Sequence, residues 1–153
     1  PKSKTHPWAG VTLSLKNLFG PLPGICYGWP KNELHPRGIE NSIIDIALTR
    51  TPELAVVDGI IGMEGDGPLN GKARPVGAII MGNDPLAVDA TCARMMGFRA
   101  EKIGHLLLGS RRRLGHLESN RIVQAGETIE ALRQQFEPPP KLEEIVDSGR
   151  SNT

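Results

Sequence analysis

The chain has 153 residues, of which 39% are hydrophobic and 23% are charged. This length suits one domain with a hydrophobic core and is short for two, and the composition excludes a wholly disordered or fibrous protein. The net charge of +1 provides no field that would draw the protein to nucleic acid or to an anionic membrane. No apolar stretch approaches the ~20 residues that cross a bilayer, and no signal peptide opens the chain. We therefore expect a cytoplasmic protein with neither nucleic acid nor membrane as a partner.

The N-terminal third combines a short predicted helix with a long loop. Helical spacing of apolar residues predicts a helix over residues 11–19, although Val11, Leu13 and Leu15 also alternate as they would in a strand. Residues 20–38 are rich in glycine and proline and predict a loop. Residues 40–50 follow with apolar side chains on one face, which predicts an amphipathic helix.

Buried strands alternate with helices in the rest of the chain. Residues 54–61, except Asp58, and residues 76–81 are apolar on both faces, which is typical of strands covered on two sides. Asp84 before Pro85 predicts the start of a helix that ends at Gly97. A second helix is predicted at 100–108, an edge strand at 122–125, a helix at 128–136 and a loosely attached tail at 138–153. The alternation predicts an α/β fold, with helices packed on a layered sheet in one domain over residues 1–137.

The segment Asp58–Gly71 carries the strongest signal for a site. Five glycines alternate with three carboxylates, those of Asp58, Glu64 and Asp66, where a buried strand ends. Ligands of α/β proteins bind at the carboxyl ends of strands, and glycines such as Gly65 and Gly67 let the backbone approach them. The carboxylates suit general acid–base chemistry or a divalent cation, but two exposed carboxylates make a weak site and we expect no tightly bound metal. The alternative is a tight turn with solvated acids.

Asp58 is predicted to be buried, because its neighbours in the strand are apolar. A buried carboxylate needs a partner, and the candidates are Lys4, His6, Lys16 and the N–H groups of the glycine-rich segment. Asp89 also falls near the buried face of its helix. We expect a structural hydrogen bond from Asp89 to a neighbouring loop, with a role in ligand binding as the alternative.

Polar residues near the N-terminus form a second candidate group. On a helix, Thr12 and Lys16 would share a face, with Asn17 next to them. Together with Lys4 and with His6, a side chain near its titration range, they suit an anionic or carbonyl-bearing substrate. Basic residues outnumber acidic ones five to one in residues 1–37, and acidic residues outnumber basic ones six to one in residues 40–70. The other histidines, His35, His105 and His116, are predicted to be loop or surface residues, and His35 is the first candidate among them for an exception.

The blocks PKSKTHPWAGVTLSLKNLFG, DGIIGMEGDGPLNG and GNDPLAVDATCARMMGF together resemble the family catalogued as domain of unknown function 362, whose members are often described as iron–sulfur-associated. The resemblance implies an α/β domain, often within a longer chain or beside ferredoxin-type cluster modules. This sequence has two cysteines, Cys26 and Cys92, and no cluster motif, so a cluster would lie on another segment or protein.

These observations lead to two functional hypotheses. In the first, a cleft joins the basic N-terminal segment to the acidic glycine-rich segment and binds a small anionic ligand. Lys16, His6 and Glu64 are then the catalytic candidates, and redox chemistry with an external iron–sulfur partner is what the resemblance implies. In the second, the domain is a non-catalytic docking or assembly module that uses Tyr27 and Trp29. The sequence identifies no cofactor and does not establish that the protein is an enzyme.

Overall fold

A computed structural model describes residues 1–28 and 32–148 of the chain. Its four strands form one mixed sheet in the order β2–β1–β3–β4. The strands are β1 (Lys2–His6), β2 (Gly10–Thr12), β3 (Ala55–Glu64) and β4 (Lys72–Gly82). Strand β1 is parallel to β3, whereas the β1–β2 and β3–β4 pairs are antiparallel.

Six α-helices in the described residues pack with this sheet into a single compact α/β domain, as predicted. They are α1 (Ser14–Asn17), α2 (Gly24–Tyr27), α3 (Ile39–Thr49), α4 (Pro85–Met95), α5 (Gly104–Arg111) and α6 (Ile129–Leu132). Short 3₁₀ turns lie at Asn32–Leu34, Ala100–Lys102, Ser119–Arg121 and Glu143–Ile145. None of the helices within the described ranges is long and apolar enough to cross a membrane.

Helix α4 forms where the sequence predicts it. The Asp84 carboxylate accepts a hydrogen bond from the N–H of Ala87 and caps the helix, and Pro85 occupies the first turn. The chain leaves the helix at Gly97, whose φ of +80° strongly favours glycine. Leu86, Ala90 and Ala93 of this helix are fully buried, so α4 runs through the centre of the core.

The sheet is covered on one face, which corrects the expectation of strands covered on two sides. Along β3, Ala55, Val57 and Gly59 are buried. Val56, which lies between the first two, and Ile60, which follows the third, are exposed. Side chains of successive strand residues point to opposite faces, so an apolar run can have only half of its residues in the core. On β4 the side chains of Ile79 and Met81 are likewise exposed.

Several predicted boundaries also differ. The predicted helix over 11–19 is divided between β2 and α1, because residues 10–12 pair with β1. The predicted second helix begins at Gly104 rather than residue 100, residues 122–125 form no strand, and the helix predicted over 128–136 is limited to Ile129–Leu132.

The predicted loose tail does not match the structure up to Asp147. The Ile145 side chain is buried in the core. The N–H of Arg99 donates to the carbonyl of Ile145, and the N–H of Asp147 donates to the carbonyl of Gly97. The segment is therefore held to the domain by packing and by backbone hydrogen bonds.

Candidate anion-binding site

The parallel pairing of β1 with β3 brings the basic N-terminal segment to the glycine-rich segment. Lys4 pairs with Met63, so both strands reach their carboxyl ends at the same edge of the sheet. The Thr5 hydroxyl donates to the carbonyl of Gly65 at 2.8 Å. A Cβ atom at Gly67 would lie 2.4 Å from the carbonyl oxygen of Thr5, a contact that only glycine avoids. The two segments therefore touch through backbone.

Lys4, His6 and Thr12 lie together on β1 and β2. Lys4 and His6 are two residues apart on β1 and point to the same face, and Thr12 is the cross-strand partner of Lys4. Thr12 thus joins the group through strand pairing and not through the predicted helix. Asn17, at the end of α1, is exposed.

His6 is held as a neutral imidazole with one fixed tautomer. Its Nδ1 accepts hydrogen bonds from the N–H groups of Trp8 and Ala9, each at 3.2 Å. This network assigns the ring proton to Nε2. Burial, followed by the positive charges of Lys16, His35 and Lys4, lowers the pKa of His6 to about 4. At neutral pH the ring is therefore outside its titration range and offers an Nε2–H donor.

Lys16 is a buried cation. It is 9% exposed, and its Nζ lies 4.0 Å from the centroid of the Phe19 ring. Burial and, to a smaller extent, the charge of Lys4 lower the pKa of Lys16 to about 8. Across the described part of the chain, no carboxylate oxygen lies within 4.0 Å of Nζ of Lys16 or Lys4. We call Lys4, His6 and Lys16 the basic cluster.

Asp89 supports the basic cluster from the core. Its carboxylate is fully buried and accepts hydrogen bonds from the N–H of Ser14, the hydroxyl of Ser14 and the N–H of Leu15, at 2.6–2.9 Å. These groups begin α1, which carries Lys16. Asp89 thus makes structural hydrogen bonds, as expected, but its partners begin a helix and do not belong to a loop. Burial raises the pKa of Asp89 to about 6.

The three carboxylates of the glycine-rich segment do not converge. Glu64 is buried and accepts from the N–H of Glu137 at 3.0 Å, with Arg74 at 3.7 Å, and Asp66 is exposed. Within the described residues, no group of three or more His, Cys, Asp and Glu side chains could hold a metal ion.

The prediction that Asp58 is buried is wrong. Its side chain is 48% exposed, because it lies on the uncovered face of the sheet. It does have partners: the Lys2 ammonium donates at 2.8 Å and the N–H of Ile60 at 3.0 Å. The hydrogen bond from Lys2 is the main reason that the pKa of Asp58 is lowered.

Ring side chains border the basic cluster, and of these the sequence singles out His35 alone as a possible site residue. The His35 ring centroid lies 6.0 Å from that of His6, 5.6 Å from that of Trp8 and 5.6 Å from that of Phe19. His35 comes from the segment before α3, so only the tertiary fold brings it here. His105, predicted to be a loop or surface residue, is fully buried, and burial lowers its pKa to about 3.

The part of the chain that carries the basic cluster matches a known protein family. The family model described as Domain of unknown function (DUF362) matches residues 1–94. The chain belongs to this family. A thylakoid-associated protein of Synechocystis is 34% identical over 91 residues, which are 58% of this chain and 28% of that protein. The match thus spans little more than a quarter of the relative, and no solved structure matches the chain. The match to the DUF362 model includes the basic cluster, the glycine-rich segment and Asp89.

Proposed function

We propose that this DUF362 domain binds a small anionic ligand at the basic cluster. The observation that carries the proposal is Lys16, a buried ammonium group with no carboxylate partner in the described residues. A buried charge is costly unless an opposite charge or hydrogen bonds compensate it. An anion supplied as ligand would provide that charge, and the Nε2–H of His6 would donate a hydrogen bond to it.

The chemistry available at this site follows from the protonation states. At neutral pH Lys16 keeps its proton, since its pKa is about 8, and it acts as the cation. Neutral His6 acts as a hydrogen-bond donor, which suits a carboxylate oxygen or a polarised carbonyl. A general-base role for His6 would require Nδ1, which is already occupied by two backbone N–H groups. Glu64 is bound to Glu137 and Arg74, so we do not include it in the proposed binding cluster.

The test is a titration of the unsubstituted protein and of Lys16→Met with phosphate and with acetate, followed by calorimetry. We expect saturable binding of at least one anion to the unsubstituted protein and a loss of at least tenfold in affinity in Lys16→Met. Lys102→Met, which removes an exposed lysine, is the matched control and should bind as the unsubstituted protein does. Equal binding by Lys16→Met would remove the basis of the proposal.

The docking alternative predicts a different outcome of the same titration. Tyr27 is exposed, and Trp29 lies outside the described residues. Exposed apolar side chains also lie on the uncovered face of the sheet, at Val56, Ile79 and Met81. If an exposed apolar surface alone were functional, neither the unsubstituted protein nor Lys16→Met would bind small anions at the basic cluster.

An external iron–sulfur partner stays a prediction of the family resemblance. A cluster generally needs about four protein ligands, usually thiolates, and the chain has two cysteines, one exposed and one buried. A cluster would therefore have to be contributed by another domain or protein, and a redox reaction would require that partner.

A further inference from the structure

A hollow adjoins the basic cluster, and all of its lining residues in the described part of the chain have ring-bearing side chains. Its volume is about 490 Å³, and its lining residues are His6, Pro7, Trp8, His35 and Pro36. The first three come from the end of β1 and the turn that follows it, and the other two from the segment before α3. This volume is in the range of small-molecule sites.

Trp8 leaves part of its apolar ring surface in the hollow exposed to solvent. Trp8 is 55% exposed, although its ring packs edge-on against His35 with an interplanar angle of 67°. His6 and His35 are close to parallel, at 26°. The flat faces of indole and imidazole favour a flat partner, because aromatic rings stack with their centroids 4.5–7 Å apart. The hollow thus offers a surface for a planar ring.

Positive charge lies at one side of the same hollow. His6 belongs both to its wall and to the basic cluster, and the charges of Lys16 and Lys4 both act on its ring. Lys16 is also connected to the hollow through Phe19, whose ring contacts both Lys16 and His35. A ring in the hollow could therefore carry its anionic group toward His6 and Lys16.

We infer that the ligand of the basic cluster is an anion carried on a planar ring, with the ring stacked in the hollow on Trp8 and the anionic group at His6 and Lys16. This inference rests on the proposed function, which requires only an anion. It adds the chemical class of the rest of the ligand. A non-planar ring of the same charge fits the same cations but stacks less well, and an uncharged planar ring lacks the group that Lys16 would bind.

The experiment compares benzoate with cyclohexanecarboxylate and benzyl alcohol. The chain has two tryptophans, Trp8 and Trp29, so Trp29→Phe leaves Trp8 as the sole indole, and its emission reports on the hollow. We expect benzoate to change this emission and to bind about 3- to 10-fold more tightly than cyclohexanecarboxylate, in line with the energy of an aromatic pair. Benzyl alcohol should bind at least tenfold more weakly than benzoate. Ligand-observed NMR on the unsubstituted chain gives the same comparison without the Trp29 substitution.

The substitution Trp8→Leu tests the placement of the ring. In this variant the preference for benzoate over cyclohexanecarboxylate should fall to less than twofold by NMR, whereas Tyr27→Leu, which removes an exposed ring elsewhere, should retain it. If the two carboxylates bind equally to the unsubstituted chain, or if Trp8→Leu keeps the preference, the inference about the ring is wrong while the anion proposal stands. If no carboxylate binds and Lys16→Met changes nothing, both are wrong.

Discussion

Replacing Lys16 with methionine should make the unliganded domain more stable at pH 7. The side chain is 9% exposed, and no carboxylate in the described residues compensates it. Methionine has a similar length, keeps the apolar contact with Phe19 and removes the buried charge. Most core substitutions destabilise a protein, so a gain in stability would be a specific signature of an uncompensated cation.

The magnitude follows from the pKa of Lys16. Folding lowers this pKa from 10.5 to about 8, and one pKa unit corresponds to ~1.4 kcal/mol, which sets an upper limit of about 3–4 kcal/mol on the cost of the charge. Residual solvent at the ammonium end screens part of it, so we expect a gain of about 1–2 kcal/mol. Because the folded pKa is below the unfolded one, the cost is fully present below pH 8. It disappears as the pH rises from about 8 to 10.5, where the unfolded chain binds the extra proton.

Urea denaturation of both proteins in an anion-poor buffer at several pH values between 6 and 10 measures this difference. The difference in free energy of unfolding should be largest at or below pH 7 and should shrink above pH 8, whereas Lys102→Met should show neither effect. Added phosphate or acetate should stabilise only the protein that retains Lys16, since ligands that bind the native state raise its stability. A Lys16→Met variant that is less stable at pH 7 would show that Lys16 makes a stabilising contact, and would refute the reasoning.

Three further predictions concern the groups around the basic cluster. Asp89→Asn should cost about 1–3 kcal/mol in urea denaturation, because the amide NH₂ would face one of the buried N–H groups of α1 and leave it without an acceptor. Unchanged stability would contradict the role of the Asp89 carboxylate as acceptor for these groups. The pKa values of His6 and His105, about 4 and about 3, lie below the ordinary 6.5, so stability should fall by several kcal/mol as the pH drops from 6.5 toward 3. His105→Met should reduce this loss in urea denaturation, and an unchanged loss would contradict the role of His105. Gly67→Ala should cost about 1–3 kcal/mol or more in thermal unfolding through its contact with β1, whereas Gly24→Ala, at a position with open space, should be neutral within about 0.5 kcal/mol.

Helix α4 and its surroundings were predictable because their signals are local. The cap at Asp84, the proline after it and Gly97 at the other end each act within a few residues of the helix. The need of Asp89 for a partner also followed from the sequence, since a carboxylate near an apolar helix face is costly wherever it lies. The identity of that partner did not, because Ser14 is 75 residues away in sequence.

The errors arose where tertiary structure decides between local alternatives. Residues 11–15 fit both a strand and a helix, and pairing with β1 selects the strand for Val11. Asp58 was expected to be buried because its neighbours are apolar, but burial depends on which face of the sheet the helices cover. The ring-lined hollow was invisible for a similar reason: Trp8 and His35 are far apart in sequence and meet only in the folded chain.

The basic cluster lies on β1 and α1, which were harder to predict from the sequence. It is held in place by α4, which was the easiest element to predict. Lys16 lies on a helix of four residues, which is too short to be stable by its own hydrogen bonds. Its first N–H groups are held by Asp89 on α4, and α4 is fixed by its caps and by its burial in the core. The cluster is therefore anchored to the core through one carboxylate, and Asp89→Asn should weaken anion binding as well as stability. A loss of both would show that Asp89 positions the basic cluster. If Asp89 stabilised the core alone, the anion affinity of the folded fraction would be unchanged.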